Sequence, residues 1–228
     1  MTTNDTSNPY RKDYEILKSI WREQKQQGEE VFLAQRIAQT LVCTGLLFSP
    51  ATLFRFIGSE LADRKGRKTA IELYVFIKVA LVTYLLFFVT VEKTEAVIAA
   101  LSLVDLCLNL SGFVLLRNYW KPSASVTRSV ILLGFNFVEL CSTFGILYLA
   151  TKSVQTADHA IVTAPASILY FSVITSATVG YGDMTPTTDV GRWIVMLQIT
   201  LSLAFVAVVL ATFVSKLTSD TKPKPSNQ

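Results

Sequence analysis

Apolar residues along this chain come in blocks of helical length, separated by short polar or basic stretches. After nine residues rich in Thr, Asn and Ser, Tyr10, Tyr14, Leu17 and Trp21 recur at i, i+4, i+7 and i+11 among Arg11, Lys12, Glu15, Lys18, Arg22, Glu23 and Lys25. That spacing predicts an amphipathic helix, whose stripe suits a membrane headgroup layer or a neighbouring subunit equally well. The next apolar block, Ile37 to Ile57, is interrupted by Gln39, by Ser49-Pro50 and by Arg55, so a kinked span, a re-entrant hairpin and an interfacial helix all fit it. Thr69 to Val91, Glu95 to Leu116, Ser129 to Ala150 and Trp193 to Val214 are each long enough to span, since a crossing takes about 20 apolar residues. The polar turn Glu92-Lys93-Thr94 makes the first two an antiparallel pair. Ala164 to Ala177 is apolar for only 14 residues, which predicts a re-entrant helix rather than a span.

Composition turns this pattern into a class. With 51% hydrophobic and 17% charged residues in 228, the chain is too apolar and too lightly charged for an ordinary soluble domain. The expected fold class is an all-α membrane protein with a multi-pass topology. The net charge of +4 is small and the basic residues gather in loops, which argues against a nucleic-acid partner. Four positive charges in the six residues Asp63 to Lys68 place that loop in the cytoplasm, and the basic, aromatic stretch from Arg117 to Arg128 belongs on the same side. Cys43, Cys107 and Cys141 each stand alone in an apolar segment, as small hydrophobes do. The first thirty residues contain no apolar core of a signal peptide, so none is expected.

Between the short apolar helix and the last span lies Thr178-Val179-Gly180-Tyr181-Gly182, followed by Asp183. TVGYG resembles the selectivity filter of the tetrameric pore-loop potassium channels, and the order span, polar turret, short helix, TVGYG, span over residues 126–217 is similar to that family's pore. The resemblance implies a potassium-selective channel subunit that conducts passively and is not an enzyme, with no catalytic residues and no cofactor beyond K⁺ as the transported ion. Dehydrated K⁺ would be held by the carbonyls of Thr178, Val179, Gly180 and Tyr181 and by the Thr178 hydroxyl, once a homotetramer closes the ring with three identical subunits. Gly180 and Gly182 suit such a filter because they accept positive φ without a Cβ penalty. Tyr181 is expected to point away from the axis and brace the filter. Tyr170 and Phe171 stand where the family carries a pore-helix aromatic cuff, and Asp183 follows the filter as in many members.

Departures from the family bear on gating. Ile174 replaces the glutamate that pairs with the post-filter aspartate in some bacterial channels, so Asp183 needs another partner, such as Tyr170, or solvent. Ser202 stands at the hinge-glycine position of the inner helix. No span carries Arg or Lys at every third position, so no steep voltage dependence is expected. The resemblance has the pore loop enter from outside, which puts the starts of the Thr69 and Ser129 spans in the cytoplasm. A cytoplasmic N-terminus then favours four full spans over five, with residues 37–57 interfacial or re-entrant.

The domain reading that follows is 1–36 as a tail with an amphipathic helix, 37–125 as N-terminal membrane helices, 126–217 as the pore, and 218–228 as a short polar tail. Lys78, Asp105 and Glu139 lie within spans, and intramembrane charges default to functional hypotheses. One arrangement pairs Lys78 with Asp105 and turns Glu139 toward protein; the other lets Lys78 snorkel beside a protonated Asp105. His159 reads as an exposed turret residue. The resemblance places the chain in the plasma membrane, most naturally a bacterial or archaeal inner membrane, with the lipid bilayer and K⁺ as its partners. The DRKGRK run also resembles the cytoplasmic loop of major facilitator transporters, but Gly58 is misplaced by one residue and the chain is too short for that fold.

Overall fold

The computed structural model describes residues 9–22, 33–61, 64–115 and 126–220. Its elements are α1 (Pro9–Arg22), α2 (Leu33–Leu47), α3 (Pro50–Leu61), α4 (Arg64–Phe88), α5 (Lys93–Leu115), α6 (Val126–Thr151), β1 (Val154–Thr156), α7 (Pro165–Ser176), β2 (Met184–Pro186) and α8 (Asp189–Asp220). Among the described residues, four helical stretches are long and apolar enough to cross a membrane: Thr69–Phe88, Lys93–Gly112, Arg128–Thr151 and Asp189–Ala211. The protein is an all-α membrane protein with one small two-stranded ribbon.

Residues 37–57 do not form a fifth span. They fall on α2 and α3, of 15 and 12 residues, which at about 1.5 Å per residue reach roughly 22 and 18 Å against a hydrocarbon core of about 30 Å. The break lies at Ser49-Pro50. Proline removes a backbone donor where a first helical turn has none to use, and Ser49 Oγ accepts the Ala51 N–H as an N-cap. Thr52 Oγ1 donates to the Leu46 carbonyl, satisfying an end group of α2. The basic run from Arg64 to Lys68, expected as loop, instead opens α4. The segment Arg117 to Ser123 lies outside the described residues.

Two compact units make up the chain, the first combining residues up to Ala80 with Leu101 onward in α5, the second combining Leu81–Ala100 with the segment from α6 to α8. In the first unit α1 packs on α2 through Ile16, Leu17 and Ile20 against Val42, Cys43 and Leu46. The residues turned inward are Ile16 and Ile20, one position from the expected stripe, whose Tyr14 is 58% exposed in the single chain. Desolvation, helped by the Asp13 carboxylate, pushes the Cys43 thiol up to about 11, so it stays protonated and unreactive near neutrality.

In the second unit, the ends of α4 and α5 form a cluster of Val82, Leu85, Leu86 and Ala99 with Ile146 of α6. Glu95 closes the start of α5, accepting the Glu92 N–H and the Thr94 hydroxyl at 2.9 and 2.8 Å. Every residue of α6 from Glu139 to Ile146 is buried, as expected of a helix packed on more than one side. The α8 helix starts on a Thr188 cap, whose Oγ1 accepts the Gly191 N–H at 3.0 Å. A Cβ at Gly191 would sit 2.8 Å from the Ser153 Cβ and 3.0 Å from its carbonyl oxygen. Gly191→Ala is therefore expected to lower pore-module stability by about 1–3 kcal/mol through overpacking, measured as a lower melting temperature of the detergent-solubilised protein.

Candidate ion-conducting site

The TVGYG segment follows directly on the end of α7. Pro165 sets the first turn of that helix, and Ile168, Phe171, Ser172, Ile174, Thr175 and Ser176 bury its inner face. Beyond Ser176 the chain stays tied to the helix: Ala177 N–H donates to the Val173 carbonyl at 2.9 Å, Thr178 N–H to Thr175 at 3.0 Å and Val179 N–H to Ile174 at 2.8 Å. The opposite end is held by the turret. β1 and β2 pair antiparallel with Val154 opposite Pro186, Gln155 opposite Thr185 and Thr156 opposite Met184. Next to that ribbon, Ala157 N–H donates to the Asp183 carbonyl at 3.1 Å. Thr178 to Gly182 are thus clamped between a helix end and a ribbon.

Between those clamps the backbone alternates in hand. Thr178, Gly180 and Gly182 have φ of 57°, 54° and 83°, while Val179 and Tyr181 stay at ordinary negative φ. Alternation of this kind turns successive carbonyls toward one side, whereas an extended strand alternates them across its two edges. The glycines take these angles without penalty, but Thr178 is β-branched and bears strain of about 1–3 kcal/mol. Strain of this sort persists only where the surroundings over-determine it. Here the hydrogen bonds into the helix end supply the determination. Val179 is 49% and Tyr181 72% exposed, so the filter face is open in the single chain.

The supporting residues divide. Phe171 turns inward and meets the Tyr148 ring edge-on at 5.1 Å between centroids. Its neighbour Tyr170 is exposed and hydrogen-bonds Asp183; partial desolvation, and then the Asp183 carboxylate, push its phenol pKa up. Ile174 is buried. Asp189, at the start of α8, pairs with Arg192 at 2.8 Å, both side chains exposed. His159 is exposed in the turret, at a left-handed turn. Ser202 is buried in α8, which runs unbroken through it.

Behind the filter lies a polar network that the sequence reading missed. Gln198 of α8 is completely buried. Its Nε2 reaches the Ser172 carbonyl and Ser172 Oγ, both at 2.8 Å, and Ser176 Oγ at 2.7 Å. The Tyr148 hydroxyl donates to Gln198 Oε1 at 2.6 Å. Ser172 Oγ donates to the Cys141 carbonyl at 2.8 Å, and the Cys141 thiol points to Ser176 Oγ at 3.6 Å. The one available signal was a glutamine in the middle of the most apolar span. Such a group is tolerated there only when fully paired.

In the first unit the intramembrane charges meet. Asp105 of α5 accepts hydrogen bonds from Lys78 and Tyr74 of α4, the latter at 2.6 Å, and from Ser49 at the break between α2 and α3. Tyr74 was not singled out from the sequence, and Ser49 only as part of the Ser49-Pro50 break. Glu139 is buried on α6, in the second unit. No group of three or more metal-ligating side chains occurs among the described residues.

No curated protein and no solved structure matches the chain. Residues 129–219 match the family model described as "Ion channel", a stretch that runs from α6 through the turret, α7 and the filter into the last turns of α8. That segment is an ion channel pore domain in a multi-pass membrane protein, built for passive ion conduction rather than catalysis.

Proposed function

We propose that the chain is a subunit of a potassium-selective channel in which four copies surround the residues Thr178 to Gly182. The observation that carries this reading is the alternating backbone of TVGYG, left-handed at residues 178, 180 and 182. A carbonyl ladder of one hand-alternating chain lines a quarter of an ion path, and closure by cyclic symmetry completes it. Dehydrated K⁺ then exchanges its water for the carbonyls of Thr178, Val179, Gly180 and Tyr181 and the Thr178 hydroxyl. The C-terminal end of α7 adds partial negative charge near the inner entry. The exposed Val179 and Tyr181 find their partners in neighbouring copies and ions.

Gating is assigned to the filter and its support. The α8 helix carries serine rather than glycine at residue 202 and stays continuous there, which favours a stiff inner helix. The plasma membrane is the site of action under this reading.

Reconstitution into K⁺-loaded liposomes and planar bilayers tests it. The expected result is a single-channel current with a reversal potential close to that of K⁺ under bi-ionic K⁺/Na⁺ conditions. A reversal potential at zero would mean a non-selective cation pore, turnover at transporter rates a carrier, and absence of flux a regulatory subunit; each of these overturns the proposal.

A further inference from the structure

We infer that Gln198 is a positioning residue for the filter: it fastens the pore helix α7 to α6 and α8 and thereby sets the backbone of Thr178, where ion coordination begins. The inference rests on the reading of Thr178 to Gly182 as an ion filter.

Position and chemistry both point this way. Gln198 is on the inner helix, Tyr148 on the outer helix, and Ser172 and Ser176 on the pore helix, so one side chain joins all three elements of the pore module. Burying an amide in a membrane-embedded core is costly unless each polar atom finds a partner. Here each does. The Oε1 atom accepts from Tyr148, and the two hydrogens of Nε2 are shared among the Ser172 carbonyl, Ser172 Oγ and Ser176 Oγ.

The hydrogen-bond directions form a consistent chain. Ser172 Oγ spends its proton on the Cys141 carbonyl, so it can only accept from Gln198. Tyr148 has spent its own proton on Oε1. Only a side chain with a donor at one end and an acceptor at the other satisfies both neighbours, which glutamine does and leucine or glutamate does not.

A short backbone path carries the effect to the ion site. Ser176 is the last residue of α7, and the next three residues hydrogen-bond back to Val173, Thr175 and Ile174. Displacement of the helix end by loss of the Gln198 contacts therefore moves Thr178, the one non-glycine residue of the filter held at positive φ. The outer clamp offers no equivalent, because Asp183 and Tyr170 are exposed.

The test uses the full-length protein in planar bilayers, with Gln198→Leu and Tyr148→Phe compared to wild type. Gln198→Leu is expected to lower the K⁺ to Na⁺ permeability ratio by about tenfold, and Tyr148→Phe, which deletes a single donor, by about threefold, the scale of lost buried hydrogen bonds. Permeability ratios are read only on channels that conduct, so a general loss of folded protein does not imitate the effect. If Gln198→Leu fails to assemble, Tyr148→Phe decides: an unchanged ratio overturns the inference. If wild type itself passes Na⁺ and K⁺ equally, the potassium reading fails separately. Single-channel open time then reports on the clamp, with shortening in Tyr148→Phe expected and no change overturning it.

Discussion

Gly180→Ala is expected to abolish selective K⁺ flux while leaving a folded subunit. Gly180 has φ of +54°, and a Cβ built on it meets no atom of the described residues within 4 Å beyond its chain neighbours. The cost of the substitution is therefore backbone strain of about 1–2 kcal/mol. In a closed pore that strain is incurred once per copy, roughly 4–8 kcal/mol around the ring. The cheapest relief is for the peptide to turn, which takes one carbonyl per copy, and so all four of one ring, out of the ion path and leaves a partly dehydrated ion without those ligands. Bi-ionic reversal potentials, with circular dichroism as a control for folding, read the two consequences separately. If the alanine variant still discriminates K⁺ from Na⁺ as wild type does, the assignment of residues 178–182 as the filter must be abandoned.

The second large effect belongs to the first unit. Asp105→Leu is expected to destabilise the protein by about 3 kcal/mol, because it removes the buried carboxylate that neutralises the part-buried Lys78 ammonium. It also removes the acceptor for Tyr74 and for Ser49. Asp105 is central because Lys78 and Tyr74 lie one helical turn apart on α4 while Ser49 caps α3; one carboxylate thus ties the broken α2–α3 segment to the α4–α5 pair. Lys78→Met should cost less, since Asp105 keeps two donors. In the double variant Lys78→Met, Asp105→Leu, much of the loss should return, as replacement of a whole buried pair by apolar residues is often tolerated. Thermal melting of the four proteins in one detergent forms the cycle. Equal melting temperatures for wild type and Asp105→Leu would show that the cluster contributes nothing.

These two sites differ in how visible they were beforehand. TVGYG is a local motif of five adjacent residues, two of them glycines at positive φ, so the sequence displays it whole. The spans are equally legible, because a hydrocarbon core accepts little except long apolar helices. The break at Ser49-Pro50 was visible as chemistry, and helix length then excluded a fifth crossing. In α1 the sequence displays the amphipathic period, but only the partner face on α2 selects Ile16 and Ile20 for burial.

Amino-acid order alone determined the class of the protein, four long apolar helices and the shortness of α7, since each depends on residues close in the chain. Tertiary structure decided what distant residues do. It brought Gln198 to Ser172 and Ser176 across more than twenty residues of sequence and Tyr148 to Gln198 across fifty. It also gathered Ser49, Tyr74 and Lys78 on Asp105. A lone polar residue in a span announces that a partner must exist, because burial without one is too costly. Which partner it finds depends on how the helices pack.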